Sequence, residues 1–543
     1  MSNGGFFTFS NLFRFLFFTK WGLILTGAVI AFFVLINVSV ESYMWLIGWL
    51  VRLAVIAGVI TLLYMLYDRR LMRASYRRLM RLTGRMQAKG TAGALHGSAA
   101  FASEQDLKVH GLRAKNGFIL GRYNDRLVRF GEIGKDKHRP GHLITFAPTR
   151  SGKGVGHVIP NLLDHKGSVV VNDIKGENYA ITARHRATFT KVFTFAPFSD
   201  VGSNCLNPLD FVRVGTEYEL DDVNLITDMI FVQSENSDPF WELSAKELIT
   251  GIIMYVVTSS PPPLRNLAEM RYLLMQDKED FDMMIENMTK SENEHVRRRA
   301  AAFSATQPKV MASIMTVAKS QTGVWDSPML KAVTSTSDFD PAVLKDEPTS
   351  FYIIIPPEYM ETYKPVVRLL TGVTIAALIR NAKRPKLPVL YLIDEFAALG
   401  YMQNIETGIG YLAGYGVSLW MFLQDLSQLK ANYEKWESFI ANCSVRMAFG
   451  TNDIETAKTL SEMLGETTVT SESKEVRLGW VKNTASSKTI SGQNRSLMTA
   501  DEVMRLDYDS QLIFVQGAKP IVAQKIFYFK DKAFDSMHDE WNG

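Results

Sequence analysis

The chain has 543 residues, 47% of them hydrophobic, and a formal net charge of +4. That length exceeds what one ordinary core fills, so two or more domains are expected. A balance so close to neutral gives no argument for nucleic acid on charge alone, and two distant cysteines, Cys205 and Cys443, have no metal-ligand or redox spacing.

After a cytoplasmic start (1–19), Trp21 to Val38 and Tyr43 to Tyr67 are almost wholly apolar, broken only by the link SVES and by Arg52. Each run approaches the roughly 20 residues needed to cross a bilayer core of about 30 Å. Residues 20–67 therefore read as a transmembrane hairpin. The basic linker that follows (68–95) carries Arg69, Arg70, Arg73, Arg77, Arg78, Arg81, Arg85 and Lys89. Positive charge at the exit of the second span places both ends in the cytoplasm and suits contact with anionic inner-membrane lipids. Arg52, costly at a helix centre, is expected to face a neighbouring helix or to snorkel, with no catalytic role.

Residues 96–216 read as the first part of a nucleotide-binding domain. Short β-like runs (AAFA, GFILG, RLVRF) lead to HLITFAPTRSGKGVGHVIPNLL, His142 to Leu163. An apolar strand, a Gly/Pro turn and an apolar-periodic helix make the P-loop order. Such a loop, here Thr149, Arg150, Ser151, Gly152, Lys153, Gly154 and Val155, turns backbone N–H groups and the positive end of a helix towards phosphate, and Lys153 adds a charge for the β and γ phosphates. Two positions depart from the pattern. Ala147 stands where Gly is usual and needs a negative φ, and Gly154 supplies no hydroxyl to Mg²⁺. Asp173, ending the next apolar strand, would cap a helix or assist the metal, and KVFTFAP is a further strand. Strand and helix alternation implies a parallel, doubly wound sheet.

From 217 to 341 apolar residues recur at helical spacing, which predicts an all-α insertion with helices over 222–232, 240–257, 264–274, 280–288 and 310–321. Its densest charge cluster, HVRRR at 295–299, reads as a solvated helix face or a phosphate contact.

The sheet resumes over 342–543 with FYIIIPPE, a helix at 365–381, and KLPVLYLIDEFAALG. The last is an apolar strand ending in Asp394 and Glu395. Carboxylates at the C-terminal end of a buried parallel strand emerge where ligands bind on open sheets. Asp394 is the candidate for holding Mg²⁺, and Glu395 for orienting and deprotonating the attacking water. Gln424 ends the next strand, where an amide can sense the γ-phosphate and help to place water, or else cap the following helix. Ser444–Asp453 is a strand leading to a helix that ends near Leu464. The Ser/Thr-rich stretch 467–496 reads as a mobile surface segment, and 511–529 as closing strands.

The motifs APTRSGKGVGHVIPNLL, VVVNDIKGENY, NPLD at 207–210, LIDEFAALG, QDLSQL and NDIETAKTLSEMLG together closely resemble the type IV secretion coupling proteins, the TraG-like membrane ATPases of conjugation and effector export. The resemblance covers nearly the whole chain, and Gly after the P-loop Lys is usual in that family. It implies a RecA-like P-loop NTPase fold with an inserted all-α domain and a two-helix membrane anchor, binding ATP and Mg²⁺ in a homo-hexameric ring at the bacterial inner membrane. The implied partners are the secretion channel components and cargo, either a relaxase–DNA complex or protein effectors. An arginine finger is also implied, yet no Arg or Lys lies between Glu395 and Gln424, which leaves Arg446 or Arg150 as candidates. Two other readings, a septal-type DNA translocase and a non-hydrolysing cargo receptor, are separated from this one by the long linker and winged-helix module of the first and by ATP turnover for the second.

Overall fold

The computed structural model describes residues 97–131, 141–231, 238–476 and 486–541, together with 48–50, 52, 53 and 57. The chain divides into two units, residues 1–92 and 93–543. In the first, the described residues are helical, and Trp49, Leu50 and Leu53 are exposed. The rest of the expected hairpin, and most of the basic linker, lie outside the described residues.

In the second unit the described residues form β1 (Gly117–Tyr123), β2 (Arg126–Gly131), β3 (His142–Phe146), β4 (Val169–Asp173), β5 (Lys191–Phe195), β6 (Thr349–Ile354), β7 (Val389–Ile393), β8 (Val417–Leu423), β9 (Cys443–Ala448), β10 (Glu466–Val476), β11 (Ser486–Ser496), β12 (Ser510–Val515) and β13 (Ile521–Gln524). Eleven of them make one sheet in the order β2-β1-β13-β12-β9-β3-β8-β7-β4-β6-β5. From β9 to β5 every pairing is parallel. From β9 towards β2 every pairing is antiparallel.

Strands β3, β4, β6, β7 and β8 are buried along their whole length, because helices cover both faces. This is why they read as unbroken apolar runs and do not alternate. Leu143, Val171, Leu392 and Trp420 pack on the face carrying the helix that follows the P-loop. Ile144, Val170, Tyr391 and Met421 pack on the other, against the helix Pro357–Arg380 and the helical stretch before it. Each fully buried aliphatic side chain contributes about 1.5–3 kcal/mol. Pro357–Arg380 is long and apolar enough to cross a membrane, but two-thirds of its apolar window is buried in this core.

Between β5 and β6 the described residues hold helices and turns only. The helices run over Glu219–Ile230, Pro239–Ser259, Leu267–Met275, Lys278–Thr289, Glu294–Ser304, Pro308–Gln321 and Pro328–Thr334. Most start on an Asp, Asn or Ser whose side chain accepts from the first turn, as at Asp238, Asn266, Asp277, Asn293 and Ser327.

Three local expectations need correction. The run AAFA is not a strand: Ser98, just before it, makes an isolated bridge to Thr467, and after it a Ser103 capping box opens the helix Glu104–Val109. The Ser/Thr-rich stretch, expected as a mobile surface segment, holds strand on either side of 477–485, which lie outside the described residues. β10 and β11 pair in continuous antiparallel register from Glu466–Ser496 to Val476–Ser486, since Thr and Val at close intervals favour the extended chain and a hairpin partner satisfies its backbone. The closing strands end at Gln524, and short 3₁₀ turns at Tyr528–Lys530 and Lys532–Phe534 follow.

Candidate functional site

The P-loop leaves β3 at its C-terminal end. Pro148 and Ser151 close a turn, with Ser151 N–H donating to Pro148 O at 3.1 Å and Ser151 Oγ at 2.5 Å. Arg150 and Gly152 then take positive φ of 62° and 90°. Gly152 does so freely and Arg150 at a cost of about 1–2 kcal/mol. Ala147 is absent from the positive-φ residues, as its methyl requires. The helix begins as a wide π-turn, Gly154–Val158, in which Ile159 N–H bonds Gly154 O. Pro160, which has no N–H to give the preceding turn, accounts for the widening. A Cβ on Gly154 would meet nothing within 4 Å, so the missing hydroxyl there is a chemical difference and not a steric one.

Two motif residues of this helix hold the fold. Asn161 Oδ1 accepts from Ile119 N–H at 2.8 Å and its Nδ2 donates to Ile119 O at 2.9 Å, clamping the middle of β1. His157, fully buried, sits 2.8 Å from Gln511 Oε1 on β12. Burial depresses its pKa to about 4, which keeps the ring neutral.

Acidic strand β7 is not adjacent to β3; β8 runs between them. That order places the strand ends bearing Lys153, Gln424 and Asp394–Glu395 side by side at one edge. Lys153 Nζ lies 3.0 Å from Asp394 Oδ1 and in direct contact with Glu395 Oε1. Gln424 Nε2 donates to Glu395 Oε2 at 3.4 Å. Glu395 itself has φ 60°, a conformation rare for a residue with a side chain. Strained backbone of this kind clusters at working sites.

Burial opposes the Lys153 ammonium, but the carboxylates of Asp394 and Glu395 hold its pKa above the ordinary lysine value. For Asp394 burial dominates and raises the pKa, against the pull of Lys153. Its Oδ1 is buried and, although 3.0 Å from the ammonium, makes no directed hydrogen bond. A deeply placed carboxylate oxygen so disposed fits a hard cation. Asp173 is pushed up to about 7 by burial. It accepts from Tyr179 N–H at 2.8 Å and from Asn178 Nδ2, so it caps the helix Glu177–Arg186.

Thr149 and Arg150 are exposed, while Ser151 to Val155 are half-buried along the loop. Gln424 does not cap the next helix; Asp425 does, accepting from Gln428 N–H at 3.0 Å. Arg446, half-buried, lies among Phe146, Leu426, Ile440, Leu460 and Met463. The residues that sequence reasoning missed come from the C-terminal strands. Lys525, buried, donates to Ser151 O at 3.0 Å and lies over the rings of Phe449 and Tyr508, 4.0 and 4.7 Å from their centres. The signal available for them was only their place beside the closing strands.

A P-loop strand and an acidic strand with one strand between them, on a mostly parallel sheet, define a RecA-like α/β protein carrying Walker A and Walker B segments. A family model described as type IV secretory system conjugative DNA transfer matches residues 100–542. Conjugal transfer protein TraG of Escherichia coli is 31% identical over 502 residues, covering 81% of this chain and 78% of that protein. Protein VirD4 of Rhizobium radiobacter is 28% identical over 460 residues, covering 82% and 66%. Among solved structures, the unbound bacterial conjugative coupling protein TrwB aligns with a TM-score of 0.61 at 15% identity over 81% of this chain and 95% of that one. TrwB in complex with ADP and Mg²⁺ gives 0.59 at 14% identity over 81% and 96%. At such identity these likenesses speak for the fold. The chain belongs to the type IV secretory system conjugative DNA transfer family, the coupling proteins of type IV secretion.

Proposed function

We propose that this coupling protein binds and hydrolyses ATP with Mg²⁺ at the edge where Lys153, Asp394, Glu395 and Gln424 meet, and uses the turnover to deliver cargo to a type IV secretion channel. The observation that carries this is the convergence of three strand ends on one cation and two carboxylates, one of them on strained backbone. The ADP and Mg²⁺ bound by TrwB, a protein of the same fold, support the choice of ligand.

The roles follow from charge and reach. Lys153 and the loop N–H groups from Thr149 to Val155 bind the phosphates. Asp394 would hold Mg²⁺, which neutralises charge building on the phosphate oxygens. The phosphates compete with Glu395 for the Lys153 ammonium. As Lys153 turns to them, Glu395 Oε1 becomes free to take a proton from the attacking water, while Gln424 keeps Oε2 oriented.

The larger assembly belongs to the same reading. Residues 20–67 anchor the chain in the bacterial inner membrane, an assignment supported by exposed Trp49, Leu50 and Leu53 on helical backbone. The basic linker 68–95 meets anionic lipid. Residues 96–216 and 342–543 form the motor of a homo-hexamer, and 217–341 stand out from it to meet a relaxase–DNA complex or a protein effector. The conjugal transfer role named for the TraG relatives favours DNA cargo.

Glu395→Gln should lower ATP hydrolysis at least about 100-fold with ATP affinity retained, because only the base is lost. Lys153→Ala should weaken binding itself. Hydrolysis at the parental rate in Glu395→Gln would remove Glu395 as the base, and absence of turnover in the parental ring, with and without cargo, would leave a non-hydrolysing receptor.

A further inference from the structure

Beside the P-loop lies an aromatic surface that neither Walker segment accounts for. Tyr508 stands just before β12, and its hydroxyl comes 3.7 Å from where a Cβ on Gly152 would be. It is 59% exposed although it lies against the half-buried loop. Phe527 stacks on it with ring centres 6.2 Å apart and planes 26° apart. Phe529, 51% exposed, follows at 6.2 Å from Phe527 in an edge-to-face arrangement. Lys525 fixes this surface to the loop by its bond to Ser151 O and its position over the Tyr508 ring. The side chain of Tyr508 therefore ends at the phosphate loop, with its hydroxyl nearest Gly152 and its largely exposed ring beside the loop.

We propose that this surface, led by Tyr508 and backed by Phe527 and Phe529, is the platform on which the base of the bound nucleotide stacks. The inference rests on the nucleotide reading above and adds the part of the ligand which that reading leaves without a partner. A nucleotide held by its phosphates at Gly152 and Lys153 must project its ribose and base to one side of the loop. The Tyr508 ring offers a flat, polarisable surface there that is already desolvated in part by Phe527. Every base has a π face, so stacking of this kind holds purines without reading their edges.

The test uses the full-length protein in detergent, titrated calorimetrically with Mg²⁺-ATP, Mg²⁺-GTP and Mg²⁺-tripolyphosphate. Tyr508→Ala should weaken ATP and GTP about tenfold each and leave tripolyphosphate unchanged. Unchanged tripolyphosphate binding also reports an intact P-loop in the variant. Tyr508→Phe, which keeps the ring and loses the hydroxyl, should restore nucleotide affinity. Undiminished ATP binding in Tyr508→Ala would overturn the platform alone, as would an equal loss for ATP and tripolyphosphate, which would make Tyr508 a support of the loop. A parental protein that binds tripolyphosphate and ATP equally well would also overturn it, because the base would then contribute nothing. Failure of the parental protein to bind any of the three overturns the nucleotide reading itself.

Discussion

The nucleotide edge of the sheet and the helical stretch between β5 and β6 treat charge in opposite ways. In the helical stretch, charges close on one another. Asp222, with its side chain 5% exposed, accepts from both Arg213 and Arg380. Arg271 donates to Asp326, Thr322 Oγ1 and Lys319 O. Arg299 meets Glu247 at 3.0 Å. At the edge Lys153 faces two carboxylates at once, Asp394 Oδ1 makes no directed hydrogen bond, and the backbone at Arg150 and Glu395 takes a rare positive φ. Charges whose hydrogen bonds are all made within the chain build a fold; a cluster on strained backbone with a carboxylate oxygen left without a directed bond is held for something that arrives.

The most disruptive way to sharpen this comparison is Asp222→Asn. The carboxylate joins the first insertion helix, Glu219–Ile230, to the core helix Pro357–Arg380 through Arg380 and to the chain before it through Arg213. Removing its charge leaves two guanidiniums sharing an amide. Breaking a fully buried pair costs about 3–5 kcal/mol; with both arginines about a third exposed, about 2 kcal/mol is expected. Urea unfolding should show that loss while ATP affinity stays at the parental value. A variant of full stability with weakened ATP binding would break the contrast, because the insertion's charges would then belong to the site.

A smaller effect separates the two kinds of lysine. Burial depresses Lys525 to about 8, with Asp509 opposing that shift and neutral His157 and the Tyr508 ring among its neighbours. The folded pKa lies below the ordinary value near 10.5. Between about pH 8 and 10.5 the unfolded chain therefore binds the extra proton, and stability rises with pH across that window. Lys525→Met has nothing to titrate and should lack this contribution. Urea midpoints measured on both proteins from pH 7 to 10.5 should diverge in favour of the parent as pH rises. Parallel profiles would mean that the ammonium is solvated and not held against Ser151 and the rings.

Much of this site could be read from the sequence because its physics is local. Fully buried parallel strands must be apolar throughout, so β3, β7 and β8 announce themselves. Their polar ends, Lys153, Asp394–Glu395 and Gln424, stand out by contrast. The insertion of β8 between β3 and β7 could not be read, since β8 meets β7 from close by in the chain (Val389 with Val417) but meets β3 only across a long separation (Leu143 with Trp420). Tyr508 and Lys525 were invisible for the same reason: they reach the P-loop from more than 350 residues away and carry no motif. His157 and Asn161 were legible as part of the motif but not as clamps on β1 and β12, because their partners lie outside it. The pairing of β10 with β11 could not be read because composition registers polarity, whereas a strand pair needs only backbone partners.

The smallest predicted effect bears on cargo. The cluster Arg297, Arg298 and Arg299 on the helix Glu294–Ser304 was the insertion's one candidate for contact with a phosphate backbone. In the structure Arg297 donates to Ser291 O and Glu292 O at 2.7 and 2.6 Å, Arg298 pairs with Glu294 one turn back, and the stem of Arg299 packs along Gly251 on its way to Glu247. All three are engaged, which favours the solvated-face reading. Elsewhere the helical stretch exposes apolar side chains, Phe240, Leu243, Tyr272 and Met283 among them. Arg298→Ala should change stability by less than about 0.5 kcal/mol, as for exposed pairs one turn apart. Replacing all three with Ala should leave the salt dependence of DNA binding within about one unit of the parental log–log slope. Each phosphate neutralised by an arginine would contribute about 0.9 to that slope on duplex DNA. A drop of about two or more would therefore show that DNA displaces the internal partners, and the insertion's charges, like those of the nucleotide edge, would be held for a ligand.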